Sequence, residues 1–137
     1  MGEIDNSSSD HTDPPLTILV VEDELLIRLA IADFLRDCGF RVLETGSADD
    51  AVQILSSEET VQVIFTDIQM PGALDGFGLA HWVRKERPDL KVILTSGVRQ
   101  AIGAAADLCG EGGLILKPYE AEEVERRIRQ LTSTSVG

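Results

Sequence analysis

Short apolar runs alternate along this chain with longer stretches in which apolar residues return every three or four positions. Leu16 to Val21 is an apolar run of strand length that stops abruptly at Glu22-Asp23-Glu24. Leu25 to Cys38 follows, with Leu26, Leu29, Ala30, Phe34 and Cys38 at helical spacing, and Gly39 supplies a C-terminal stop. Phe40 to Glu44 reads as a second short strand. Ser47 can cap the next helix, with Asp50 three residues on and Ala51, Ile54 and Leu55 along one face. The run Val61 to Asp67 is rich in β-branched residues and apolar on both faces, which suits a strand buried in the middle of a parallel sheet. It ends in one carboxylate, and Pro71-Gly72 breaks the chain soon after.

Asp75-Gly76 leads into a third helix carrying Phe77, Ala80 and Val83, and Pro88 ends it. Leu90 to Thr95 is a fourth strand, followed by Ser96-Gly97. Gln100 to Leu108 is Ala-rich and helical in character, although Gly103 weakens it. After Gly110-Glu111-Gly112-Gly113, the run Leu114 to Leu116 makes a fifth, very short strand ending in Lys117-Pro118. Glu120 to Leu131 is a last helix with Val124, Ile128 and Leu131 at helical spacing. Five strands alternating with five helices predict an α/β domain, a doubly wound parallel sheet with helices on both faces. The domain spans residues 16–131. Residues 1–15 are polar and read as a disordered lead-in, and residues 132–137 as a short tail.

The length of 137 residues fits one domain with a self-sufficient core. With 24 acidic and 12 basic residues, the net charge of −12 argues against a nucleic-acid surface and suits a site that gathers carboxylates around a cation. Cys38 and Cys109 lack the companions of a zinc site and read as packing or surface thiols. Met1-Gly2 lacks the downstream Ser or Thr of a myristoylation signal, since Asn6 stands there, and Asn6-Ser7-Ser8 is a chance match to a glycosylation acceptor. His81 reads as a helix-surface residue, and His11 has no visible partner. No apolar stretch has the length of a membrane span and no signal peptide opens the chain, so a soluble cytoplasmic protein is expected.

The ends of the strands carry the chemistry. The first strand ends at Glu22-Asp23, the third at Asp67, the fourth at Ser96 and the fifth at Lys117. In a parallel sheet all carboxyl ends lie along one edge, so these groups converge. Three adjacent carboxylates repel one another, and a divalent cation relieves the repulsion; Mg²⁺ is the natural candidate because it takes hard oxygen ligands. An acidic pair, a central Asp, a hydroxyl and a Lys together describe a phosphoryl-transfer site. Any one of these residues alone would read as an ordinary turn former or solvated charge.

The stretches Val20-Val21-Glu22-Asp23-Glu24, Phe65-Thr66-Asp67-Ile68-Gln69-Met70-Pro71-Gly72, Val92-Ile93-Leu94-Thr95-Ser96-Gly97 and Leu116-Lys117-Pro118-Tyr119 resemble, in order, the motifs of the receiver domain of two-component response regulators. The resemblance covers residues 16–131. It implies a flavodoxin-like five-stranded sheet of order 2-1-3-4-5. It implies that Asp67 takes a phosphoryl group from a phosphohistidine on a sensor histidine kinase or histidine phosphotransfer protein. Asp23, Asp67 and the backbone carbonyl of Gln69 would ligate Mg²⁺, with Glu22 acting mainly through metal-bound water. Ser96, followed by the small Gly97, matches the switch hydroxyl, and Lys117 would pair with the phosphoryl oxygens. The Lys117-Pro118 bond is often cis in the family.

This chain departs from the family pattern at Leu114, where many receivers carry an aromatic, and in the loop Met70 to Gly76, which is longer by a residue or so than the common form. The resemblance implies a stand-alone signalling phosphoacceptor, not an enzyme acting on other substrates, that switches binding to an unidentified downstream protein and has no nucleic-acid or membrane partner; it also allows a homodimer. The alternatives are a phosphorylation-independent interaction module and a receiver fragment of a hybrid histidine kinase. A haloacid-dehalogenase-type enzyme would want a second Asp where Gln69 stands. A flavodoxin would want a phosphate-cradling first loop, and this one is acidic.

Overall fold

The computed structural model describes residues 14–57, 60–109 and 113–133. Most of the expected lead-in, the Gly-rich break at 110–112 and residues 134–137 lie outside them, as do the Met1-Gly2 and Asn6 motifs. The five expected strands form: β1 (Thr17–Val21), β2 (Arg41–Thr45), β3 (Val63–Asp67), β4 (Lys91–Ser96) and β5 (Leu114–Leu116). They pair in parallel in the order β2-β1-β3-β4-β5, as the resemblance implied. The helices between them are α1 (Leu25–Asp37), α2 (Ala48–Ser56), α3 (Gly76–Glu86), α4 (Ile102–Cys109) and α5 (Ala121–Thr132). The fourth expected helix divides in two: a 3₁₀ turn at Arg99–Ala101 precedes α4.

Strand side chains alternate between faces, and the helices cover both. Ile18, Val20, Val63, Phe65, Ile93 and Ile115 pack under α1 and α5, against Ile31, Ala32, Leu35, Val124 and Ile128. Leu19, Val21 and Ile64 pack under α2 and α3, and Ile68 and Leu94 under α3 and α4. The caps follow the sequence. Ser47 Oγ accepts from Asp50 N at 3.1 Å, Asp75 Oδ1 accepts from Gly78 N at 2.9 Å, and Gly39 takes a φ of 100° after α1. His81 is exposed, as expected.

The structure selects the inward face of α1. The helical set that begins at Leu26 does not turn wholly inward: Leu26 is 80% exposed and Leu29 39%, while Ile31, Ala32 and Leu35 are the buried residues. This helix is apolar nearly all round, so periodicity offers two overlapping faces and only packing chooses between them. Among the described residues, no helix is long and apolar enough to cross a membrane.

Candidate functional site

The site is assembled by register. Val21 lies opposite Thr66, Asp67 opposite Thr95, and Ser96 opposite Leu116. The residues that end β1, β3, β4 and β5 therefore emerge along a single edge. Carboxylate oxygens of Glu22, Asp23 and Asp67 lie within 4.8 Å of one another; Glu22 and Asp67 are buried and Asp23 is exposed. Lys117 Nζ donates to Asp67 Oδ2 at 2.6 Å, and Gln69 N donates to Asp67 Oδ1 at 3.1 Å. The Lys117-Pro118 bond is cis.

The acidic loop is held from behind. Glu22 N donates to Thr45 O at 3.0 Å, and Glu22 Oε2 accepts from Glu24 N at 3.1 Å. Arg28 Nη1 donates to the Glu22 carbonyl at 2.9 Å, while its Nε lies 3.4 Å from Glu44 Oε1. Arg28 thereby ties the loop to β2. No local pattern marks it in the sequence, because both its partners come from other elements.

Burial pushes the Glu22 carboxyl above its ordinary value, and the nearby Asp67 and Asp23 charges push the same way; the Glu24 N–H bond and Lys117 offset this only in part. Burial works against the Lys117 ammonium, but its bond to Asp67 and the charges of Asp67, Glu22 and Glu24 outweigh burial and raise its pKa. The Tyr119 phenol is pushed up to about 12 by burial and then by Glu22 and Asp67. Three carboxylates facing one ammonium leave an excess of negative charge on hard oxygen donors. This donor set, with Asp23 open to solvent, fits a divalent cation such as Mg²⁺.

Ser96 and Gln69 are placed differently from the other site residues. The Ser96 hydroxyl, fully buried, makes its hydrogen bonds to Gln69 and Val98 and not to Asp67. Ser96 Oγ donates to Gln69 Oε1 at 2.9 Å and accepts from Val98 N at 2.9 Å. The neighbouring Thr95 hydroxyl is buried and without a partner among the described residues. The family resemblance implied a role for the Gln69 backbone carbonyl and none for its side chain.

A family model for the response regulator receiver domain matches residues 18–129. This chain belongs to that family. The receiver is 34% identical over 119 residues to a probable transcriptional regulator ycf27 of Cyanophora paradoxa, covering 83% of this chain and 47% of that protein. It thus spans about half the length of the curated relatives it matches first. Among solved structures it resembles the receiver domain of NtrX from Brucella abortus, with 31% identity and a TM-score of 0.72 over 85% of this chain and 99% of that one. It shares the fold of the response regulator TrrA from Thermotoga maritima, solved in complex with Mg²⁺-BeF, with a TM-score of 0.75 and 24% identity over 85% and 98% of the two chains. Beside the acidic cluster, this receiver carries an apolar cleft of about 630 Å³ between α1 and the start of α5. Leu26, Ile27, Ala30, Lys117, Pro118 and Tyr119 line it.

Proposed function

We propose that this receiver takes a phosphoryl group onto Asp67 from a phosphohistidine of a sensor histidine kinase or histidine phosphotransfer protein, and that the change at Ser96 switches binding to a downstream protein. One observation carries this reading: the buried Asp67 carboxylate lies within 4.8 Å of Glu22 and Asp23 and 2.6 Å from the Lys117 ammonium. An Asp67 oxygen attacks phosphorus and the P–N bond breaks. Its electron pair leaves with the imidazole, which takes a proton from solvent. Lys117, held protonated by its acidic neighbours, offsets the negative charge of the phosphoryl oxygens.

Glu22 (mainly through water), Asp23, Asp67 and the Gln69 backbone carbonyl would hold Mg²⁺, which when bound neutralises charge on the transferring group. The donor reaches Asp67 across the cleft beside Lys117, and the exposed Leu25, Leu26 and Leu29 of α1 offer it an apolar landing face. The protein acts as a phosphoacceptor that catalyses only its own phosphorylation and dephosphorylation. It works in the cytoplasm. Incubation with Mg²⁺ and acetyl phosphate, read by intact mass, adds one phosphoryl group to the wild type and none to Asp67→Asn. Equal labelling of Asp67→Asn overturns the assignment.

A further inference from the structure

The Ser96 hydroxyl has a single proton to donate. In this structure that proton goes to Gln69 Oε1 at 2.9 Å, while the oxygen accepts the Val98 N–H at 2.9 Å. Donation to Gln69 and donation to a phosphoryl oxygen on Asp67 exclude each other. We infer that the Gln69 side chain is a latch: it holds the Ser96 hydroxyl in the unphosphorylated arrangement and must be released before Ser96 can serve the phosphoryl group. Gln69 acts through Ser96 and is a positioning residue.

Three features make the latch effective. Ser96 is fully buried, so while Gln69 is in place water does not reach the Ser96 hydroxyl. Gln69 is also bound to the acceptor carboxylate, through its backbone N–H to Asp67 Oδ1 at 3.1 Å, so the latch and the phosphorylation site share one residue. Movement of Ser96 Oγ also removes the acceptor of Val98 N–H. The release is therefore passed to Val98 and to the 3₁₀ turn Arg99–Ala101, which follows directly.

The inference rests on Asp67 being the phosphoacceptor, and the test separates the two claims. The probe is beryllofluoride with Mg²⁺, a stand-in for the phosphoryl group, with binding followed by its ¹⁹F resonance. Gln69→Met keeps the length and shape of the side chain and removes the acceptor. Its affinity for beryllofluoride rises about two- to tenfold, the range expected when one neutral hydrogen bond no longer has to be broken. In a Ser96→Ala background the latch has no partner, so adding Gln69→Met leaves affinity unchanged. Weaker or unchanged binding by Gln69→Met, or an equal gain in the Ser96→Ala background, overturns the latch. Failure of the wild type to bind beryllofluoride overturns the reading of Asp67 instead.

Discussion

Gly76 opens α3 hard against the end of β3, and replacing it by Ala is the sharpest structural test of how Asp67 is held. A Cβ at Gly76 would sit 2.7 Å from Ile68 Cα and 3.0 Å from Asp67 C, and would press on the Asp67 carbonyl oxygen. All of these are backbone atoms, which have no rotamer to escape into. Carbon atoms prefer separations of about 3.5 Å or more, so the helix start must retreat by roughly 0.8 Å. Overpacking of this kind costs about 1–3 kcal/mol. The retreat also strains the bond from Gly76 N to Ile68 O, now 3.0 Å and contributing about 1 kcal/mol. Ala returns up to about 1 kcal/mol of helix propensity. The balance is a loss of about 2 kcal/mol, or roughly 8 °C in melting temperature for a domain of this size. Because the shift acts on Asp67 and Ile68, the stabilisation by Mg²⁺ that the proposed site predicts should shrink as well. Gly103→Ala is the control: its Cβ meets nothing within 4 Å, so it should stabilise by about 0.5–1 kcal/mol. Thermal denaturation of both variants, with and without Mg²⁺, decides the matter. A Gly76→Ala protein that melts with the wild type and keeps its full response to Mg²⁺ refutes the argument.

The raised pKa of Glu22 means that the folded protein holds this proton more tightly than the unfolded chain. Without metal, stability from this group therefore falls as pH rises from the ordinary value of 4.5 through its raised folded value, and stays low above it. Urea denaturation against pH should show this fall in the wild type and not in Glu22→Gln; parallel profiles would count against it. Millimolar Mg²⁺ should raise the wild-type melting temperature, and Asp23→Ala should abolish the rise; a rise that survives places the cation elsewhere. Thr95→Val replaces a buried hydroxyl that has no partner with a group of the same shape, so it should raise stability by about 1 kcal/mol in calorimetry; a loss of that size would mean the hydroxyl has work to do. Among the described residues of the 3₁₀ turn and α4, Ala101 and Ala105 are buried in the core and Leu108 packs partly against it, and Leu114 has no ring to carry a signal past them. Hydrogen exchange with and without beryllofluoride should change most between residues 97 and 113, and changes confined to α1 or α3 would contradict this.

Much of this candidate site is legible in the chain because each candidate group sits directly after an apolar run. Glu22, Asp67, Ser96 and Lys117 each end or follow a strand, and parallel pairing brings such ends together. What the sequence withholds is set by contacts between distant residues. The inward face of α1 could not be chosen because Leu25, Leu26, Ile27, Leu29 and Ile31 leave it apolar on every side. Arg28 gains its role from the Glu22 carbonyl and Glu44, and Gln69 from Ser96, 27 positions away. The closeness of Gly76 to Asp67 is likewise a matter of how α3 docks, and an Asp-Gly pair before a helix reads the same with or without it.

The central claim is that Asp67 carries the phosphoryl group. After reaction with acetyl phosphate and Mg²⁺, treatment with hydroxylamine cleaves an acyl phosphate and leaves a hydroxamate on the carboxyl that bore it. Peptide mapping should find that mark at Asp67 alone, and at no residue when Mg²⁺ is withheld. A hydroxamate at Glu22 or Asp23, or a phosphoryl group that resists hydroxylamine, would contradict the account.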